Sequence, residues 1–155
     1  DACFGSLGSF FNFSPRQGAF EVNPPFAPAM IARTREHMHK LLEEATGPLR
    51  FVVAVANWPH PEVEALSSSP FRTSPPVVVG QDDQVWMDGR EKRRAPVELL
   101  LLVLQNHAAQ PVTRDQLERL RQSCTGEAKP MGPRKRPLPV EALEVDDGAS
   151  AASAP

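Results

Sequence analysis

The chain has 155 residues, enough for one modest domain with a hydrophobic core of its own. Its 17 basic and 19 acidic residues leave a net charge of −2, which excludes a global attraction to nucleic acid and leaves any such contact to local patches. The two cysteines, Cys3 and Cys124, match no metal spacing and fit a reducing compartment better than a disulfide scaffold, and the longest apolar runs, 51–56 and 99–104, are too short to span a bilayer.

The first residue is Asp1 and the sequence opens as if inside an ordered segment, so it is expected to be part of a longer, soluble, intracellular protein. Phe4-Gly5-Ser6-Leu7-Gly8-Ser9-Phe10-Phe11 reads as a loop or helix start. Its lone Gly-x-x-Gly spacing fits an ordinary turn beside aromatic core residues better than a phosphate or cofactor loop. A short strand follows at 19–22. It ends in Asn23-Pro24-Pro25-Phe26, the most informative feature of the chain. Two prolines fix φ near −65° and remove two backbone donors, so this turn presents carbonyl oxygens and the Asn23 amide with little freedom. Phe26 adds a π-face. Such a turn suits the exocyclic amino group of a flat heteroaromatic ring. Glu21 sits on the strand before it, where its role depends on neighbours that the sequence does not reveal.

From Pro28 to Ala45 the spacing predicts a helix, with Ile31, Met38, Leu42 and Ala45 on one face, Glu36 and Lys40 paired on the wet side, and Gly47-Pro48 as the stop. His37 and His39 point to different faces and read as solvated surface rather than metal ligands. Phe51–Ala56 is a continuous apolar run, as expected of a strand buried on both sides in a parallel sheet. Asn57-Trp58-Pro59-His60-Pro61-Glu62 then reads as a loop at that strand's end, where ligands bind in open α/β sheets. Ser67–Ser69 reads as a flexible loop with no base nearby. Two more strands are expected at 77–79 and 98–105, joined by a charged connection over 81–94. Within it, Arg90-Glu91-Lys92-Arg93-Arg94 suits either RNA phosphates or a solvated loop. Thr113 and Gln116 form a capping box for a short helix whose apolar stripe is Leu117, Leu120 and Cys124, with Val112 and Leu117 spaced for a hydrophobic staple. Residues 126–155 lack aromatics and are rich in Pro, Ala, Ser, Glu and Asp, which predicts a disordered tail. Pro133-Arg134-Lys135-Arg136-Pro137 within it is a short candidate for nuclear import or phosphate binding. Strand, helix, strand, loop and two strands make the second half of a doubly wound α/β domain ending in a hairpin.

Taken together, Phe4-Gly5-Ser6-Leu7-Gly8-Ser9-Phe10-Phe11, Gly18-Ala19-Phe20-Glu21-Val22-Asn23-Pro24-Pro25-Phe26, the apolar strand running into Trp58, and Leu104-Gln105-Asn106 resemble the catalytic domain of the phosphorylated-CTD-interacting factor family. The resemblance covers 1–125 and implies an α/β fold, the C-terminal half of a Rossmann-like S-adenosylmethionine-dependent methyltransferase. Members methylate N6 of the 2′-O-methyladenosine beside the messenger RNA cap, which implies capped mRNA as partner and a nuclear location. By the same token Asn23, Pro24, Pro25 and Phe26 would serve both catalysis and cofactor binding, with Asn23 and the Pro24 carbonyl accepting from the target amino group. Trp58, Pro59, His60, Pro61 and Glu62 would meet the cap, Trp58 by stacking on the methylated guanine. The family's WW module, which binds the phosphorylated RNA polymerase II C-terminal domain, is expected upstream, as are the first strands of the sheet. Four residues depart from the family pattern. Pro28 stands two residues after Phe26 where an acidic residue is usual, Pro59 and His60 replace an arginine, and Ser9 replaces a proline. Two other readings stay open: transfer to adenine in DNA or uncapped RNA, and an inactive RNA-binding or interaction module. No metal and no membrane contact are expected.

Overall fold

The computed structural model describes residues 8–84, 86–88, 91–93 and 95–125. The segment 1–7, including Cys3 and the first four residues of the aromatic–glycine motif, lies outside them, as do Arg90, Arg94 and the 126–155 tail with its 133–137 basic element. A single turn of 3₁₀ helix, Phe10–Asn12, leads to strand β1 (Gly18–Val22), helix α1 (Pro28–Glu44) and strand β2 (Leu49–Ala56). Helix α2 (Pro61–Ser67), strands β3 (Val77–Val79), β4 (Trp86–Asp88), β5 (Glu91–Arg93) and β6 (Leu99–Gln105), and helix α3 (Arg114–Thr125) complete the chain.

Four strands form one sheet in the order β1-β2-β6-β3. β1 runs parallel to β2, from Gly18 opposite Leu49 to Val22 opposite Val53, while β6 runs antiparallel to both β2 and β3. The sheet is therefore mixed, not all-parallel as the apolar run at 51–56 suggests. A mixed sheet arises here because β6 returns between β2 and β3, pairing with both. The expected hairpin of β3 and β6 is present. Within the 81–94 connection, β4 and β5 pair as a separate two-stranded sheet, which its charge does not predict.

Alternation along the strands divides the core into two layers. Val22, Leu49, Phe51, Val53, Val55, Leu100, Leu102 and Leu104 meet Ile31, Met38, Leu41 and Leu42 of α1 and Val63 and Leu66 of α2. On the other face Ala54, Val79 and Leu101 form a smaller cluster on which Val77, Leu99, and Leu120 and Cys124 of α3 pack. The first layer is thick and dry; the second is thin.

α1 begins with Pro28 in its first turn, where a missing N–H costs nothing, and has no side-chain cap. On its wet side Lys40 reaches Glu44, at 3.9 Å, instead of Glu36. The two helix histidines are not surface groups. His37 packs edge-on against Phe10 and Phe11, with its Nε2 3.1 Å from the Phe13 carbonyl. His39 Nε2 lies 2.9 Å from Ser69 Oγ. Ser69 is buried and has a base beside it, contrary to the flexible-loop reading of 67–69. The capping box at α3 is present, with Thr113 N–H donating to Gln116 Oε1 at 2.9 Å and Gln116 N–H to Thr113 Oγ1 at 3.3 Å.

Leu104-Gln105-Asn106 lies at the opposite end of the sheet from Asn23. Asn106 Oδ1 accepts the Leu49 N–H at 3.1 Å, its amide donates to the Gly47 carbonyl at 2.8 Å, and its own N–H reaches the Leu49 carbonyl. That residue fixes where β2 begins.

Candidate functional site

Parallel pairing of β1 and β2 brings their carboxyl ends to one edge of the sheet, so the turn after Val22 and the segment after Ala56 emerge side by side. Inside the turn Pro24 is buried, whereas Asn23 and Pro25 are exposed. Ala27 N–H donates to the Pro25 carbonyl at 2.7 Å, which closes the turn and uses up that oxygen. The Pro24 carbonyl and the Asn23 amide carry no bond to a described residue. Phe26 is 38% exposed, one of the few large apolar side chains left in water.

The two motifs meet through their rings. Phe26 and Trp58 have centroids 6.3 Å apart at an interplanar angle of 78°, an edge-to-face contact. Trp58 is half-buried, packs on the main core and lies 6.3 Å from the His60 ring. Its Nε1–H is buried and has no hydrogen-bond partner. A buried unpaired donor is costly, so such a group commonly marks a place where a ligand atom or water is accepted.

On one side of the Phe26–Trp58 contact lies a cleft of about 530 Å³ bounded by Glu21, Asn23, Phe26, Gln84, Leu120 and Cys124 over the apolar floor of β2 and β6. On the other lies a groove of about 470 Å³ with Asn57, Trp58 and Pro59 on its wall. Of the nine expected site residues, Asn23 and Phe26 line the cleft, Trp58 and Pro59 line the groove, and Pro24 is buried beneath the turn. The Pro25 carbonyl closes the turn.

The rest of the expected cap loop is differently placed. Pro61 and Glu62 are the first turn of α2, and His60 is its N-cap, with Nδ1 accepting the Glu62 N–H at 3.2 Å. Pro61 reads as a loop residue, yet at the first helical position it is pre-organised for the helix. Glu62 faces Arg35 of α1 with Nη2 to Oε2 at 3.5 Å, close enough for attraction but outside hydrogen-bond geometry.

Several cleft residues carry no motif signal. Gln84 donates its amide to the carbonyls of Val79, Gly80 and Val97, so it braces the wall. Ser123 Oγ donates to Leu120. Glu21 faces the cleft because strand alternation sets it on the same side as Asn23, two residues on; that spacing was the available signal. Among the described residues no group of three His, Cys, Asp or Glu side chains converges as a metal site, and no helix is long and apolar enough to cross a membrane.

A family model described as the phosphorylated CTD interacting factor 1 WW domain matches residues 1–89. Within that stretch the described residues build the parallel β1–α1–β2 unit, with α2 and β3 following. Among curated proteins, one from Mus musculus named mRNA (2'-O-methyladenosine-N(6)-)-methyltransferase is 40% identical over 67 residues, which are 43% of this chain and 10% of that protein. Its namesake from Homo sapiens is 39% identical over 67 residues, with the same coverage of both chains. The matched stretch is thus about a tenth of the length of these relatives.

Proposed function

Given that the chain belongs to the phosphorylated CTD interacting factor 1 family, we propose that it is the C-terminal half of a Rossmann-like methyltransferase domain, acting in the nucleus on N6 of the cap-adjacent 2′-O-methyladenosine of messenger RNA. The observation that carries this reading is the meeting of Asn23, Phe26 and Trp58 at the carboxyl ends of two parallel strands. The strand order β1-β2-β6-β3 supports it, being that of a doubly wound half-sheet with its terminal hairpin.

S-adenosylmethionine, the cofactor this reading requires, supplies an electrophilic methyl on a cationic sulfur. The cleft fits such a molecule in kind: its volume lies in the range of about 300–1,000 Å³ usual for small-molecule sites, its floor is apolar, and it offers one carboxylate and one free amide. Asn23 and the Pro24 carbonyl would accept hydrogen bonds from the target amino group, which aims the nitrogen lone pair and offsets the positive charge that grows on nitrogen during transfer. The methylated ammonium is acidic and loses its proton to water, so no strong base is needed. Phe26 would stack on the adenine, worth about 1–3 kcal/mol. Trp58, in the adjoining groove, would take the cationic cap base. The family's phospho-C-terminal-domain partner is assigned to a WW module outside this stretch; the parallel pairing of β1 with β2 supports that assignment over one within it.

The test is methyl transfer to capped and uncapped oligoribonucleotides of one sequence. Asn23→Ala is expected to lower turnover about 10²-fold or more while leaving the thermal transition unchanged. Full turnover in that variant would overturn the assignment. A second reading, transfer to adenine in DNA or uncapped RNA, is motivated by the altered loop, where Pro59 and His60 stand in place of the family's arginine and His60 caps α2. Equal rates on capped and uncapped RNA would select it.

A further inference from the structure

Glu21 is the only charged side chain among the described residues that line the Asn23–Phe26 cleft. It is exposed and forms no ion pair with any described residue. The other polar groups there are neutral, and the donors of Gln84 and Ser123 are already committed to backbone carbonyls. The floor below Glu21 is hydrocarbon: Val52 pairs with it across the β1–β2 ladder, and Ala54, Leu99 and Leu101 extend the surface. A lone carboxylate over an apolar floor is the chemistry of a site for an organic cation, since an anion would be repelled and a neutral ligand would gain nothing from the charge.

Position sharpens this. Glu21 and Asn23 are two residues apart on one strand and on the same side of it, about 7 Å apart along the chain. Both side chains line the same cleft, so one small ligand could meet the carboxylate and the Asn23 amide together. We propose that Glu21 is the counter-charge that selects the cationic, methyl-bearing cofactor over its neutral demethylated product. This rests on the cofactor reading given above. Electrostatic selection of this kind favours loading before transfer and release after it, because transfer removes the charge on sulfur that the carboxylate holds. Glu21 is thus a specificity residue, and it takes no proton and forms no bond.

The test is calorimetric titration of the full chain with S-adenosylmethionine and, separately, S-adenosylhomocysteine, which differ by one methyl and one positive charge. The expected result for the native chain is tighter binding of the charged ligand, by about fivefold or more, with a preference that shrinks as salt rises. Glu21→Gln, on an exposed strand position, is expected to abolish the preference by weakening the charged ligand alone, and Glu21→Asp to retain part of it. If Glu21→Gln weakens both ligands equally, or neither, the inference is overturned while the cofactor reading stands. Failure of the native chain to bind either ligand overturns both.

Discussion

His39 sits between burial, the Arg35 guanidinium and the Glu43 carboxylate; the first two outweigh the third and hold its pKa below the usual 6.5. Ser69 Oγ accepts the Phe71 N–H at 3.3 Å and lies 2.9 Å from His39 Nε2, a contact either partner can donate. The sign follows: a folded pKa below the unfolded one stabilises the fold above about pH 6.5 and loses that contribution as pH falls toward the folded value. The thermal transition should therefore drop between pH 7 and pH 5 in the native chain and drop less in His39→Gln; equal slopes would show that His39 is not the group responsible. Asn106 makes a different prediction. Asn106→Ala strips two side-chain hydrogen bonds from the start of β2 and leaves the buried Leu49 N–H unpaired, at a cost of about 1–3 kcal/mol in denaturant unfolding. Since it lies at the far end of the sheet, cofactor affinity in the folded fraction should be unchanged. At Gly18 φ is +122°, and a Cβ would lie 3.0 Å from the Phe20 ring, so Gly18→Ala is expected to destabilise β1 by more than about 1 kcal/mol.

Helix α3 has no buried residue, so its capping box carries an unusual share of its stability. Thr113→Ala should cost about 0.5–2 kcal/mol locally, seen as faster amide exchange confined to 114–125; protection spread evenly over the chain would contradict this. The elements that sequence patterns revealed are those with a long signal. α1 showed helical spacing and a Gly47-Pro48 stop, β2 and β6 were unbroken apolar runs, and the capping box announced α3. Three elements were hidden for physical reasons. α2 is short and begins at a proline that punctuates loops as often as helices. β4 and β5 are three residues each, too short to show alternation, and β5 is wholly charged. The pairing direction of β6 depends on tertiary context, which a run of leucines does not encode. In the site the turn chemistry of 23–26 was legible, because proline geometry is local. Glu21 was not, because a lone carboxylate on a strand acquires meaning only when its face and its neighbours are known.

The molecule is built unevenly about its sheet: α1 and α2 seal one face, α3 thinly covers part of the other, and β1 forms an edge with no strand beyond it among the described residues. Hydrogen exchange should rank accordingly, slowest in β2 and β6, which are paired on both sides, and much faster in β1. Protection of β1 matching that of β2 would mean that its open edge is covered in solution, by association or by the remainder of the chain. The edge-on contact of Phe26 with Trp58 has a consequence for the whole site, since each ring is a wall of a different pocket. A guest that turned Phe26 in the cleft would shift the surface that Trp58 shows to the groove, which would couple the two occupancies. Reciprocity then fixes the numbers: whatever factor a guest in the cleft lends to binding in the groove, a guest in the groove must lend back.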